Sequence, residues 1–381
     1  MNTNAGNNKE VGTTMKKHKY ISRIFSFVLT FSMVFTLSAC GNSGNVQNSD
    51  VQESSRPTAD MPGDATDGNT GILPSSVSNV AEQAGVPLLT LNNGVQMPGL
   101  GLGTQIQRLE GDSSESGREL LNSTTHDAVV AALQAGYRHL DTAHGYYNER
   151  GVGQGIIDSG VPREEIWLTS KLWPSEYGEG ITMEAIDQML ERLQVDYIDL
   201  IYLHHPVGDW TGAWKDLEEA YRQGKVRALG ISNFDNWPEA FHEIVDEMEI
   251  KPAVLQIECH PFAQRLETRA LAEEYGIQVE CWYPLGHADQ RLLNNDILSE
   301  IADAHGKSVV QIILRWHMQE GLSAVPGSTN PEHIQENIEI FDFELTDEEM
   351  EKIRALDEGE SGRYFNIDYQ QMGSFFGALN E

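Results

Sequence analysis

The sequence predicts a closed parallel α/β barrel, a (β/α)8 architecture of the TIM-barrel class, over residues 87–381. Three observations carry that prediction. Eight short apolar runs recur between residues 99 and 326, helical patterns separate them, and the residues that end successive runs are polar or aromatic. Alternating strands and helices favour a parallel sheet, and eight such units suffice to close one into a barrel.

The apolar runs lie at 99–101, 139–141, 167–171, 198–204, 228–232, 255–258, 279–283 and 324–326. Helical periodicity marks 126–134, 183–193, 217–223, 239–248, 267–275 and 309–320 between them. Ahead of the first run, Asn92-Asn93-Gly94 separates two apolar stretches, 88–91 and 95–97, a strong signal for an N-terminal β-hairpin. The span is longer than the ~250 residues typical of such barrels. The surplus is assigned to the hairpin, an extra helix at 347–356 and a C-terminal tail. Segments 105–124, 205–214 and 364–381 are expected to be loops and tail around the barrel mouth. Phe365, Phe375 and Phe376 in the tail either line an apolar pocket or pin the tail to the wall.

Composition narrows the partners. A formal charge of −32 repels nucleic acid and anionic lipid surfaces, and no basic patch offsets it. Of three cysteines, Cys259 and Cys281 sit in apolar runs and are expected to be buried free thiols, with no metal-ligand spacing between them. The oligomeric state has no signature in the sequence.

The first 86 residues differ in kind. Lys16, Lys17, Lys19 and Arg23 precede an apolar stretch, 24–37, and then Leu37-Ser38-Ala39-Cys40. A basic start, a short apolar run and small residues before a cleavage point describe a secretory signal. The Leu-Ser-Ala-Cys order resembles a bacterial lipobox. That resemblance implies a signal peptide over 1–39, lipidation of Cys40, and a protein held to the extracytoplasmic face of the cell membrane by its acyl chains alone. Residues 41–86 are rich in Gly, Ser, Asn, Asp and Thr and hold no aromatic residue. Such a chain buries too little apolar surface to order itself, so 40–86 is expected to be a flexible tether. Its root-mean-square reach is on the order of 35–40 Å.

In a barrel of this class, chemistry sits at the C-terminal ends of the strands. The residues there are Asp141, Lys171, His204, Ser232-Asn233, Gln256, Trp282 and Gly327-Ser328. Carbonyl reduction needs a hydride on carbon and a proton on oxygen. A tyrosine titrates near ~10, too high for ready donation at neutral pH. A lysine beside it favours the tyrosinate, and a carboxylate beside the lysine keeps that lysine charged. Asp141, Lys171 and a following tyrosine thus make sense as a unit, with a neutral histidine N–H to orient the carbonyl oxygen. No metal is needed. By residue chemistry alone, Tyr147 stands beside Tyr146 and His205 beside His204 as alternatives, and Asp141–Lys171 could be a plain salt bridge.

Several stretches together resemble the aldo-keto reductase superfamily. They are Gly136 through Glu149, Trp167 through Trp173, Asp199 through Pro206, Gly230-Ile231-Ser232-Asn233-Phe234, Gln256-Ile257-Glu258-Cys259-His260-Pro261, and Pro326 through Asn337. They run in order through most of residues 87–360. The resemblance implies an NADP-dependent oxidoreductase that reduces an aldehyde or ketone. Its spacing, the acid five residues after the aspartate and the histidine two before the proline, selects Tyr146 and His204. It further implies cofactor contacts at Thr104, Asp141, Ser232, Asn233, Gln256, Trp282, Leu285, Gly286, Gly327, Ser328, His333, Glu336 and Asn337, with His204 and His205 facing substrate. Trp282 stands where the family usually stacks a tyrosine under the nicotinamide ring. Two positions depart from the pattern: Gly327 and His333 replace the lysine and arginine that grip the 2′-phosphate of the cofactor. NADPH is the expected cofactor, with NADH brought closer to it. The alternative from another class is a surface-tethered, weakly catalytic protein that binds cofactor or senses redox state.

Overall fold

A computed structural model describes residues 85–105, 114–369 and 371. Apart from Ser114, these belong to one compact unit. The signal, the lipidation site and the tether as far as residue 84 lie outside the described residues, as do Phe375 and Phe376; Gly85 and Val86, read as the end of the tether, are described, and Val86 is buried in the barrel core.

Eight parallel strands form one sheet in chain order: β3 (Leu102–Gly103), β4 (His139–Asp141), β5 (Trp167–Leu172), β6 (Ile198–Leu203), β7 (Val226–Ser232), β8 (Val254–Glu258), β9 (Gln278–Trp282) and β10 (Ser323–Ala324). The sheet closes on itself. Leu100, just before β3, bridges Ala324 of β10 in parallel, and Gly101 and Gly103 donate N–H groups to Ala324 and Pro326 at 3.0 Å each. No edge is left at this seam, and the eight-stranded (β/α)8 barrel predicted from the apolar runs is the fold. The first strand starts slightly later than the pattern suggested because Gly99 and Leu100 serve the seam.

A hairpin of β1 (Leu88–Thr90) and β2 (Gln96–Pro98) precedes the barrel, paired Leu89 to Met97. Gly94 turns it with φ at +81°, a backbone state that costs a glycine little. Leu91, Val95 and Met97 pack on Trp167, Leu200, Tyr202, Ala228 and Val254. Asn92 and Asn93 donate to the carbonyls of Pro252 and Arg227. Trp167 and Val254 begin their strands, Arg227 is second in β7 and Pro252 precedes β8, so the hairpin plugs the end of the barrel opposite the mouth.

The helices around the wall are α1 (Glu115–Gln134), α2 (Glu149–Ser159), α3 (Thr182–Leu193), α4 (Trp210–Arg222), α5 (Pro238–Glu247), α6 (Leu266–Glu274), α7 (Gln290–Leu293), α8 (Asp296–His305), α9 (Val309–Gln319), α10 (Pro331–Ile338) and α11 (Asp347–Arg354). Two expected mouth loops are shorter than the sequence suggested. Residues 115–124 are helical, because Gly117, Leu121, Thr125 and Ala128 form a buried stripe that their polar neighbours disguise. Helix α4 already begins at Trp210, where the Asp209 side chain accepts from the Gly212 N–H at 2.9 Å. Helix α2 was hidden by its glycines. A Cβ at Gly151 or Gly153 would stand 2.3 Å from the Asn122 or Leu193 carbonyl oxygen, so these glycines let α2 press against α1 and α3.

Candidate active site

The strand ends bring the expected residues together at one mouth. Asp141 ends β4, Lys171 is the penultimate residue of β5, and His204 follows β6. Tyr146 lies just beyond β4, in a single helical turn, His144–Tyr146. Lys171 is fully buried and Asp141 nearly so. The Lys171 Nζ donates to Asp141 Oδ1 at 2.5 Å, to Oδ2 at 2.7 Å and to the Thr142 carbonyl at 3.0 Å, and it stands 3.4 Å from the Tyr146 hydroxyl. An ammonium has three protons. Tyr146 is therefore the fourth and longest of four acceptors.

Burial governs the electrostatics. It pushes the Tyr146 phenol well above its ordinary value, and Asp141, Tyr283 and Glu280 add to that in turn. This corrects the expectation that Lys171 lowers the phenol: its protons are committed to Asp141 and Thr142, and desolvation wins. Burial also lifts the Asp141 carboxyl, reinforced by Glu280 and opposed by Lys171 and the Gln256 amide. His204 is pushed well below the usual histidine range, first by burial and then by His205. His205 is pushed down to about 3, again by burial first. Both imidazoles are neutral at physiological pH.

The two rings stack, with centroids 4.3 Å apart, and His204 meets Tyr146 edge to face at 5.8 Å. Tyr147, the alternative acid, is exposed and takes a left-handed backbone with φ at +58°. Trp173 packs edge-on against both histidines. His205 Nδ1 accepts from the Tyr369 hydroxyl at 3.1 Å and faces Asn233 Nδ2 at 3.3 Å. The same Asn233 nitrogen donates to the His204 carbonyl at 2.9 Å.

Ser232 ends β7 in register with Gln256 of β8, and Asn233 follows Ser232 directly. All three are buried. Trp282 ends β9, and Leu285 and Gly286 form the turn after it. Gly327 and Ser328 follow β10, while His333, Glu336 and Asn337 belong to α10, which the Tyr137 hydroxyl anchors through the Ile334 carbonyl. Gly327 and His333 are exposed. Thr104, immediately after β3, donates its N–H to the Asp141 carbonyl at 2.9 Å.

Three buried polar atoms at strand ends have no partner among the described residues: Thr104 Oγ1, His204 Nδ1 and Trp282 Nε1. Buried polar atoms are rarely left unmade without reason. Their position around the mouth fits a ligand with hydrogen-bonding edges, as a nicotinamide cofactor has.

The tail also reaches this mouth. Glu258, at the end of β8, accepts the Tyr364 N–H at 2.7 Å and the Phe365 N–H at 3.2 Å. Phe365 then meets Trp282 at 5.5 Å and Tyr283 at 5.2 Å between ring centroids. Sequence reasoning did not foresee the roles of Glu258, Thr142, Trp173 and Tyr369. It also missed Glu280, although a charged residue inside an otherwise apolar strand, two before Trp282, was the available signal. Cys259 and Cys281 are free and buried as expected. With His317 they place ligand atoms within 4.8 Å of one another, but both His317 nitrogens face backbone carbonyls, those of Ile313 and Cys259.

An eight-stranded barrel with a buried lysine–aspartate pair, a tyrosine and a neutral histidine at its mouth defines a class of carbonyl-handling oxidoreductases. The Aldo/keto reductase family profile matches residues 100–358, and the chain belongs to that family. A glyoxal reductase of Bacillus subtilis is 45% identical over 271 residues, 71% of this chain and 92% of that protein. A 9,11-endoperoxide prostaglandin H2 reductase of Trypanosoma cruzi is 43% identical over 272 residues, 71% of this chain and 91% of the relative. Among solved structures, a Bombyx mori aldo-keto reductase in complex with NADP superposes with a TM-score of 0.67 at 31% identity, covering 75% of this chain and 97% of that one. The protein is thus an aldo-keto reductase enzyme, an oxidoreductase.

Proposed function

We propose that this enzyme reversibly reduces an aldehyde or ketone to the alcohol, with NADPH as first cofactor and NADH also accepted. The observation that carries this reading is the chain of contacts Asp141–Lys171–Tyr146 beside a neutral His204 at the barrel mouth. The bound nicotinamide supplies the hydride. Tyr146 gives its proton to the carbonyl oxygen, and the phenol is protonated at rest because burial holds its acidity down. As negative charge grows on the phenol oxygen, the Lys171 ammonium, 3.4 Å away, draws closer and stabilises it. Asp141 fixes the lysine in place. His204 points an N–H at the carbonyl oxygen, and His205 with Trp173 walls the substrate side.

Thr104, Asp141, Ser232, Asn233, Gln256 and Trp282 would hold the nicotinamide end. The amide hydrogens of Asn233 and Gln256 are spent within the protein, so each offers its oxygen to a carboxamide N–H. Leu285 and Gly286 would pass the pyrophosphate. Gly327, Ser328 and His333 would meet the 2′-phosphate, and Glu336 and Asn337 the adenine. The similarity to a glyoxal reductase makes small, reactive aldehydes and dicarbonyls the first substrates to try.

We also propose, from the sequence pattern, a lipoprotein signal peptide at 1–39, lipidation of Cys40, a tether over 40–86 and the enzyme barrel at 87–381, held on the extracytoplasmic face of a bacterial membrane. A fatty-acid probe should label the wild type and not Cys40→Ala; an unlabelled protein in the cytosol would refute the anchor. The catalytic reading is tested by following loss of reduced-cofactor absorbance over a panel of aldehydes and ketones. Tight cofactor binding with no turnover on any of them would favour a binding or redox-sensing protein.

A further inference from the structure

Beneath the mouth, within the barrel, stands a second buried carboxylate that the proton-transfer scheme does not use. Glu280, on β9, is fully buried. Its Oε1 accepts from the Tyr202 hydroxyl at 3.0 Å and from Gln256 Nε2 at 2.7 Å. Its Oε2 accepts from Ser323 Oγ at 2.8 Å and stands 3.6 Å from His139 Nε2. The same Gln256 nitrogen also donates to Asp141 Oδ2 at 2.8 Å.

A primary amide nitrogen carries two protons, and here both go to carboxylates. The usual ambiguity in which way a glutamine amide points is removed by charge: reversing it would set a carbonyl oxygen against two acidic groups. Gln256 is left with its oxygen as the only group to offer a ligand. Asp141 alone does not impose this. Without Glu280 one amide proton is released, and the side chain turns to present N–H as readily as C=O.

We propose that Glu280 is a positioning residue of this active site: together with Asp141 it locks the Gln256 amide so that the site accepts, and does not donate, a hydrogen bond at the cofactor carboxamide. The inference rests on the reading above that Gln256 meets that carboxamide. It adds a residue that no part of the hydride or proton path requires, and it explains why a buried charge persists in the barrel wall.

The test is binding, read by quenching of intrinsic tryptophan fluorescence in the full protein. NADPH is compared with its 3-acetylpyridine counterpart, in which an acetyl group replaces the carboxamide and no N–H remains. The wild type should favour NADPH by about five- to tenfold, the scale of one hydrogen bond. Glu280→Met keeps the side-chain length but removes the acceptor, and the preference should fall severalfold, toward the part that the Asn233 oxygen alone supports. Glu280→Gln should restore it, because that amide still offers an oxygen to Tyr202 and Gln256. A general loss of structure would weaken both ligands alike and leave the ratio unchanged. Should the methionine variant fail to fold, Glu280→Asp, which withdraws the acceptor by one methylene, is measured in its place. Gln256→Met separates the two ideas. A preference undiminished in Gln256→Met, or absent from the wild type, removes the contact of Gln256 with the carboxamide itself. A preference lost in Gln256→Met but kept in Glu280→Met or Glu280→Asp overturns the role of Glu280 alone.

Discussion

Replacing Tyr146 by phenylalanine isolates proton donation from everything else at the mouth. Among the described residues the hydroxyl makes only the long 3.4 Å approach to Lys171, whose three protons remain satisfied by Asp141 and Thr142. The ring keeps its edge-on contact with His204. Stability should therefore change by no more than about 1 kcal/mol, a net hydrogen bond at most. In a domain of this size that moves Tm by about 2 °C. Turnover should fall by about 10²–10⁴, the usual scale for loss of a general acid, which is about 2.7–5.5 kcal/mol of barrier. Cofactor affinity, read by fluorescence titration, should stay within about twofold, because no neutral hydrogen bond of full strength is removed. The assay is kcat with a reactive aldehyde at saturating cofactor, beside Tyr147→Phe as the control. Near-normal turnover in Tyr146→Phe, with the loss appearing in Tyr147→Phe, would refute the assignment.

Three further predictions concern titration, acid stability and cofactor choice. Because burial raises the Tyr146 phenol and lowers His204, the reduction rate should stay flat from about pH 6 to pH 9, the span between the ordinary histidine and tyrosine values; a basic limb in kcat near neutrality would contradict the protonated resting phenol. The same histidines link stability to acid. Below the ordinary value of about 6.5 the unfolded chain binds protons that folded His204 and His205 refuse, so each should cost up to about 1.4 kcal/mol of stability per pH unit. His205→Phe should flatten the acid side of a denaturation series run between pH 7 and pH 4, and an unchanged slope would show that other groups set it. On the proposed reading, exposed Gly327 and His333 offer the 2′-phosphate no fixed cation, so the kcat/KM ratio of NADPH to NADH should be modest, and Gly327→Lys should raise it. A wild-type preference of ~10³ or more, about 4 kcal/mol, would mean that other groups hold the phosphate.

The barrel and the residue types at its mouth were legible in the linear chain. Strand interiors are near-continuous apolar runs, and a charged residue ending such a run must face the mouth. Asp141, Lys171 and the histidine pair His204–His205 were therefore legible from position, while His204 over His205 and Tyr146 over Tyr147 were selected by the spacing of the family resemblance. Helices with disguised faces were not legible: α1 buries a stripe split by polar residues, and α2 carries glycines whose purpose is close approach to α1 and α3. Partnership and electrostatic balance also waited for the tertiary structure. Nothing local says that Lys171 spends its protons on Asp141 and Thr142, so that desolvation raises Tyr146 despite the cation beside it. Nor does local sequence say that Gln256 spans Asp141 and Glu280, residues on strands far apart in the chain. Residue type and period are local properties. The direction of a pKa shift depends on how much water is removed and which charges are left behind, and only the closed barrel settles that.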